Sequence, residues 1–203
     1  MNLIKRLLKI AGILLFVYII AAFLGKDSYR VERKATINAP VKLVYSQISV
    51  FRNWPNWSPW QEKDPTVKNT FEGPDGDVGS VMKWVGDKDL TGTGQIAIES
   101  LSAPFSMRYK LSFLVPFEMS SYGGFDLSEE ANGKTQVSWY DTGNIPFVMR
   151  PMMMFMNMDK QMGPDFERGL FKIDSLCSGL YQEMLKIMSN ESTLTIPVDT
   201  LAK

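Results

Sequence analysis

Apolar and polar residues follow three different rhythms along this chain. From Ile10 to Leu24 (IAGILLFVYIIAAFL) the residues run without a single charge, and Leu7 and Leu8 extend the run with only Lys9 interrupting it. An apolar segment with no polar face, close to the roughly 20 residues a bilayer requires, predicts a transmembrane helix over 1–25. From Tyr29 to Tyr140 short segments alternate with a period of two, the signature of half-buried strands. From Phe166 the residues Leu170, Ile173, Cys177, Leu180, Met184 and Ile187 recur every three or four positions and predict one long amphipathic helix.

Turn residues divide the middle region. Tyr29 to Ile37 reads as a strand with Val31, Ala35 and Ile37 on one face. Asn38-Ala39-Pro40 then opens a helix carrying Val41, Val44, Tyr45 and Ile48. After the proline-broken FRNWPNWSPW come segments at Ser80–Val85, Thr91–Leu101, Phe105–Val115, Phe117–Ser128 and Lys134–Tyr140, separated by turns such as 73–77 and Ala131-Asn132-Gly133. The short linkers imply antiparallel hairpins. The long helix is expected to start near Gly163-Pro164-Asp165, with Asp165 and Glu167 at its positive end, and residues 189–203 to form a polar tail. Gly169 inside that helix either allows close packing on the sheet or is merely tolerated. The expected domains are therefore an anchor at 1–25, one globular domain at 26–188 and the tail.

Two readings compete with an uncleaved anchor. A cleaved signal peptide would show small residues before its cut, and Ala21-Ala22-Phe23-Leu24-Gly25 gives no convincing pattern. A buried core helix is the other reading, but an apolar run with no polar face suits a membrane better than a soluble sheet. Lys5, Arg6 and Lys9 place the N-terminus in the cytoplasm and the domain outside it, although Lys26, Arg30, Arg33 and Lys34 follow closely on the far side.

Composition narrows the chemistry. The 22 basic and 22 acidic residues cancel, and no basic run interleaves with aromatics, so a nucleic-acid partner is not expected. The chain has no histidine, which removes Ser-His-Asp and Cys-His catalysis and His-ligated zinc. Its one cysteine, Cys177, lies on the apolar stripe of the long helix and reads as structural. No cofactor or metal is called for. Clustered methionines could in principle hold a soft metal such as Cu(I), but neither a histidine nor a second cysteine accompanies them.

Two stretches carry a family resemblance. ATINAPVKLVYSQISVFRNWPNWSPW resembles the opening of the START-like (SRPBCC) superfamily, in its polyketide cyclase/dehydrase and lipid-transport branch. MGPDFERGLFKIDSL resembles that branch's last helix, and Gly79-Ser80, Gly92 and Gly94 fit between them. The resemblance implies an α+β helix-grip fold, in which a curved antiparallel sheet of six to seven strands wraps a long C-terminal helix around an elongated apolar cavity. It also implies binding of a lipid or other small hydrophobic ligand, and the lack of histidine and of any spaced acid–base set makes a non-catalytic role the expectation. The alternatives are a cyclase/aromatase-like enzyme and an envelope protein whose cavity is filled.

Candidate cavity residues follow from strand phase and position. They are Trp54, Trp57 and Trp60 of the Trp-rich turn, with Trp84, Tyr109, Phe113, Phe125 and Trp139 of the strands. Phe166 and Leu170 of the long helix, and Met153 and Met156 of the Met-rich stretch Phe147–Met162, complete the set. That stretch reads either as a lid or as a short core helix. Val137 is core in any case. Arg33 and Asp141 share the inward phase and could orient a ligand or act as an acid/base pair, but strand-end positions in water are the expectation for both.

Overall fold

A computed structural model describes residues 2–115 and 118–194. Helix α1 (Asn2–Leu24) stands out from the rest of the molecule, with Leu14 and Phe23 among its exposed side chains. Its stretch Leu3–Leu24, with Lys5, Arg6 and Lys9 near its start, has 22 residues and is long and apolar enough to cross a membrane, about 33 Å at 1.5 Å per residue against the roughly 30 Å apolar thickness of a bilayer.

The domain behind it is one seven-stranded antiparallel sheet in the order β1-β7-β6-β5-β4-β3-β2. The strands are β1 (Ser28–Ile37), β2 (Lys68–Glu72), β3 (Val81–Val85), β4 (Thr93–Ser102), β5 (Ser106–Val115), β6 (Met119–Glu130) and β7 (Lys134–Asn144). Hairpins join β2 through β7, while β1 pairs with β7. The connection from β1 to β2 carries α2 (Val41–Ser49), a 3-10 turn (Phe51–Asn56) and α3 (Pro59–Lys63) across one end. The Phe117 start expected for β6 lies outside the described residues.

The last helix, α5, runs from Met158 to Leu194. It starts earlier than the Gly-Pro-Asp signal suggested, because Asn157 caps it. The Asn157 carboxamide oxygen accepts the Lys160 amide at 3.1 Å, and the Asn157 carbonyl accepts that of Gln161 at 3.1 Å. Pro164 therefore lies inside the helix, near its beginning. The helix also continues past residue 188, so 189–194 are helical instead of a tail; residues 195–203 lie outside the described residues.

The core lies between α5, the α2–α3 connection and the inner sheet face. Trp139 and Phe166 stack with centroids 4.2 Å apart and planes within 1°. Gly169 makes this approach possible, since a Cβ there would lie 2.7 Å from the Trp139 ring. Close packing, then, explains this glycine, whereas nothing lies near Gly179. Cys177 is wholly buried on the same helix, and burial pushes its thiol up to about 12, as expected of a structural cysteine.

Candidate functional site

The inner face of the sheet is covered unevenly. Helix α5 packs mainly on β1, and Trp57 of the α2–α3 connection, with Phe166 of α5, covers the aromatic side chains Phe125 of β6 and Trp139 of β7. The inward residues of β3, β4 and β5 have no helix directly over them. What remains is an apolar cavity of ≈280 Å³.

Seven of the aromatic candidates reach this cavity: Trp54, Trp60, Trp84, Tyr109, Phe113, Trp139 and Phe166. Trp57, Phe125 and Leu170 do not. They are fully buried beneath it, Trp57 with its ring edge-on to Phe125 and Trp139, and they serve as packing. Val137 is likewise core. Three of the four indole N–H groups that could have made the wall polar, those of Trp54, Trp84 and Trp139, are committed elsewhere. Trp54 donates to the Ile48 carbonyl at 2.7 Å, Trp84 to the Thr91 carbonyl at 3.1 Å, and Trp139 to the Tyr109 hydroxyl at 2.9 Å. The surface left facing the cavity is therefore mostly hydrocarbon.

The Met-rich stretch divides. Met158 and Met162, on the first turns of α5, line the cavity. Met153 and Met156 instead line a second hollow of ≈540 Å³ between the end of α1 and the domain, together with Leu24, Gly25, Phe155 and Ile145. The sequence expectation placed them in the main cavity because it took the whole stretch as one lid. The chain in fact makes a 3-10 turn (Phe147–Met149) and the short α4 (Arg150–Met153) before α5. Those two elements pack on the end of α1, where Phe23 meets Phe147 edge-on at 5.0 Å and the Tyr18 hydroxyl donates to the Val148 carbonyl. Val148, Met152, Met154 and Phe155 stay exposed beside the end of α1. Tyr29 and Met158 line both hollows and form the partition between them.

The polar corner of the cavity was not expected. Asp141, placed in water by the sequence reading, is 1% exposed. Its carboxylate accepts a hydrogen bond from the Tyr29 hydroxyl at 3.0 Å and another from Ser121 Oγ at 3.0 Å. Both donors line the cavity, and Asp141 sits directly behind them. Burial raises its carboxyl to about 6, against the opposing effect of the Ser121 and Tyr29 hydrogen bonds. Desolvation and the Asp141 charge also raise Tyr29 and Tyr109 above the usual phenol range. Two glycines make room for these phenols: a Cβ at Gly123 would overlap the Tyr109 ring, and one at Gly143 would lie 2.6 Å from that of Tyr29. The Tyr29 and Ser121 side chains were legible only as inward-phase positions of β1 and β6.

Arg33 does not share this corner. It forms ion pairs with Asp159 at 2.7 Å and Glu167 at 2.6 Å on the first turns of α5, and so ties β1 to the helix start. Among the described residues no group of three or more His, Cys, Asp or Glu side chains could hold a metal ion.

Among known proteins no family model matches the chain, and no curated protein matches its sequence. Solved structures do match. The Aha1 dimer protein of Colwellia psychrerythraea is 14% identical, covering 74% of this chain and 96% of its own, with a TM-score of 0.54. Ara h 8.0201 is 16% identical over 74% of this chain and 97% of its own, with a TM-score of 0.51. The major latex-like protein 151 of Panax ginseng is 14% identical over 77% and 99%, with a TM-score of 0.51. At such identities the likeness is one of fold, and the fold is the START-like helix grip.

Proposed function

We propose that this chain is a membrane-tethered, non-catalytic holder of a small hydrophobic ligand, with α1 as an uncleaved single-pass anchor. The observation that carries the reading is the cavity: ≈280 Å³, with a mostly apolar wall of aromatic, aliphatic and methionine side chains and few polar groups. That volume lies just under the range of about 300–1,000 Å³ typical of small-molecule sites. It suits a ligand with one chain or one ring system and leaves no room for a two-chain lipid. The volume also weighs against a filled interior.

The position of the second hollow supports supply from the bilayer. It lies at the end of α1, its Met-rich wall is exposed, and Tyr29 and Met158 line both it and the cavity. Flexible methionine side chains can part for apolar shapes of different outline. A ligand leaving the membrane beside α1 would therefore meet the partition first. Lys5, Arg6 and Lys9 before the span support a cytoplasmic N-terminus and an extracytoplasmic domain. Of the basic residues after it, Arg30, Arg33 and Lys34 are strand residues paired with acidic partners.

Native mass spectrometry of the full chain extracted in mild detergent tests the proposal. The expected result is a stoichiometric adduct of one small apolar molecule, lost when Met162→Trp fills the cavity. Repeated recovery of empty protein, with no adduct formed on adding single-chain amphiphiles, overturns it.

A further inference from the structure

The corner formed by Tyr29, Ser121 and Asp141 bears on which ligand the cavity accepts. The cavity has a hydrocarbon wall, and behind two of its polar side chains lies a carboxylate that solvent does not reach. Among the described residues no arginine or lysine forms an ion pair with Asp141. Its neighbours across the sheet are hydroxyl groups: Tyr29 from β1, Ser121 from β6, and Tyr109 from β5 beyond them.

The direction of the hydrogen bonds decides what this corner can recognise. An ionised carboxylate only accepts, so the Tyr29 and Ser121 protons both point at Asp141, at 3.0 Å each. The hydroxyl oxygens then have lone pairs but no proton left for the cavity. Tyr109 offers little more, since its oxygen takes the Trp139 indole proton at 2.9 Å and its own proton turns to the Tyr140 carbonyl at 3.5 Å. At neutral pH the corner is thus a hydrogen-bond acceptor backed by an uncompensated negative charge. A ligand group that donates gains from both features. A group that only accepts would leave a desolvated lone pair facing another, and an anion would face the charge of Asp141.

We propose that this corner is the polar recognition site of the cavity, and that it selects single-chain or single-ring amphiphiles whose polar end donates hydrogen bonds, a hydroxyl or an ammonium group, against ethers, esters and carboxylates. The inference rests on the ligand-holding reading above and gives that ligand its chemical class. No covalent step is involved. Tyr29 and Ser121 contact the ligand, while Asp141 acts through them by fixing the direction of their protons.

The test uses the full chain in lipid nanodiscs at pH 8, where Asp141 is ionised. Trp54, Trp60, Trp84 and Trp139 line the cavity, so 1-bromodecane, whose bromine quenches indoles on contact, reports occupancy without any polar end of its own. Competitors are n-decanol, n-decylamine, decyl methyl ether and n-decanoate. Each is compared between the native chain and Asp141→Asn, so that partition into the lipid cancels. The expected result is displacement by decanol and decylamine at concentrations at least about tenfold lower than by the ether or decanoate. In Asp141→Asn the advantage of the amine over the ether should fall by about tenfold, because the charge is gone. Tyr29→Phe, which keeps the ring and removes the contacting oxygen, should reduce the advantage of both donors. Equal displacement by all four ligands, or an advantage unchanged in both variants, overturns the recognition site and leaves the cavity reading intact. Absence of quenching by 1-bromodecane overturns the cavity reading itself.

Discussion

Asp64 and Asp141 are both buried carboxylates, yet their surroundings push them in opposite directions. Asp64, just after α3, is fully enclosed and accepts four hydrogen bonds. These come from the Thr66 amide at 3.0 Å, the Thr66 hydroxyl at 2.6 Å, the Thr91 hydroxyl at 2.7 Å and the Asp87 amide at 2.8 Å. Led by Thr66, these donors hold its carboxyl down to about 2. Asp141 has only Tyr29 and Ser121, and burial lifts it to about 6. Lack of exposed surface does not by itself set the charge of a carboxylate; its depth in the fold and the number of protons aimed at it do so together. Asp64 staples the β3–β4 hairpin to the end of α3. The under-supplied Asp141 is the one that lies behind the cavity wall.

Perturbing each carboxylate sharpens the contrast. Asp64→Ala has the largest expected effect, because it strands two backbone amides and two hydroxyls at the hairpin base. Thermal denaturation should show a Tm lower by about 10 °C. Asp141→Asn should do the reverse above pH 7. A carboxyl raised from its ordinary value to about 6 costs the folded state on the order of 2–3 kcal/mol once ionised. Denaturant titration at pH 8 should therefore find the variant more stable by about 1–3 kcal/mol, and a less stable variant would contradict the assignment.

The pH profiles follow the same signs. Between about pH 4 and pH 6 the folded state binds more protons at Asp141 than the unfolded chain, so this contribution falls as pH rises and is lost above 6. Asp64 contributes stability above about pH 4 that is lost as pH falls toward 2. The groups facing Asp141 are Tyr29, Ser121 and Tyr109, whose phenols stay neutral throughout, so the first slope should vanish in Asp141→Asn. The smallest effect is expected for Tyr29→Phe, about 1 kcal/mol at pH 8 by equilibrium unfolding, from the loss of one of the two hydrogen bonds.

The fold was legible because it rests on periodicity. Met107, Tyr109, Leu111 and Phe113 alternate in β5, Val31 and Ile37 share a face of β1, and the stripe from Phe166 to Cys177 is buried as its spacing requires. The boundaries were less legible. Pro164 looked like a first-turn residue, while the actual cap, Asn157, lay inside a run of methionines that masked it. Strand phase found the aromatic cavity wall but could not separate lining from packing. Phe125 and Tyr109 point to the same side, yet Trp57 of the α2–α3 connection lies over Phe125 while Tyr109 is left on the cavity. Asp141 was misjudged because its surroundings come from β1 and β6, distant in sequence. Gly123 and Gly143 were its local trace, small residues opposite large phenols.

The pairing of β1 with β7 also sets an order of events during synthesis. β1 is the first part of the domain to follow α1, yet Ser28 finds its partner in Asn144 and Ile37 in Thr135. Until the ribosome has delivered those residues, β1 is a strand with no partner to bond. Closure of so distant a pair costs more chain entropy than any of the hairpins, and Arg30, Arg33 and Lys34 along β1 give the unpaired strand the charge that discourages wrong partners.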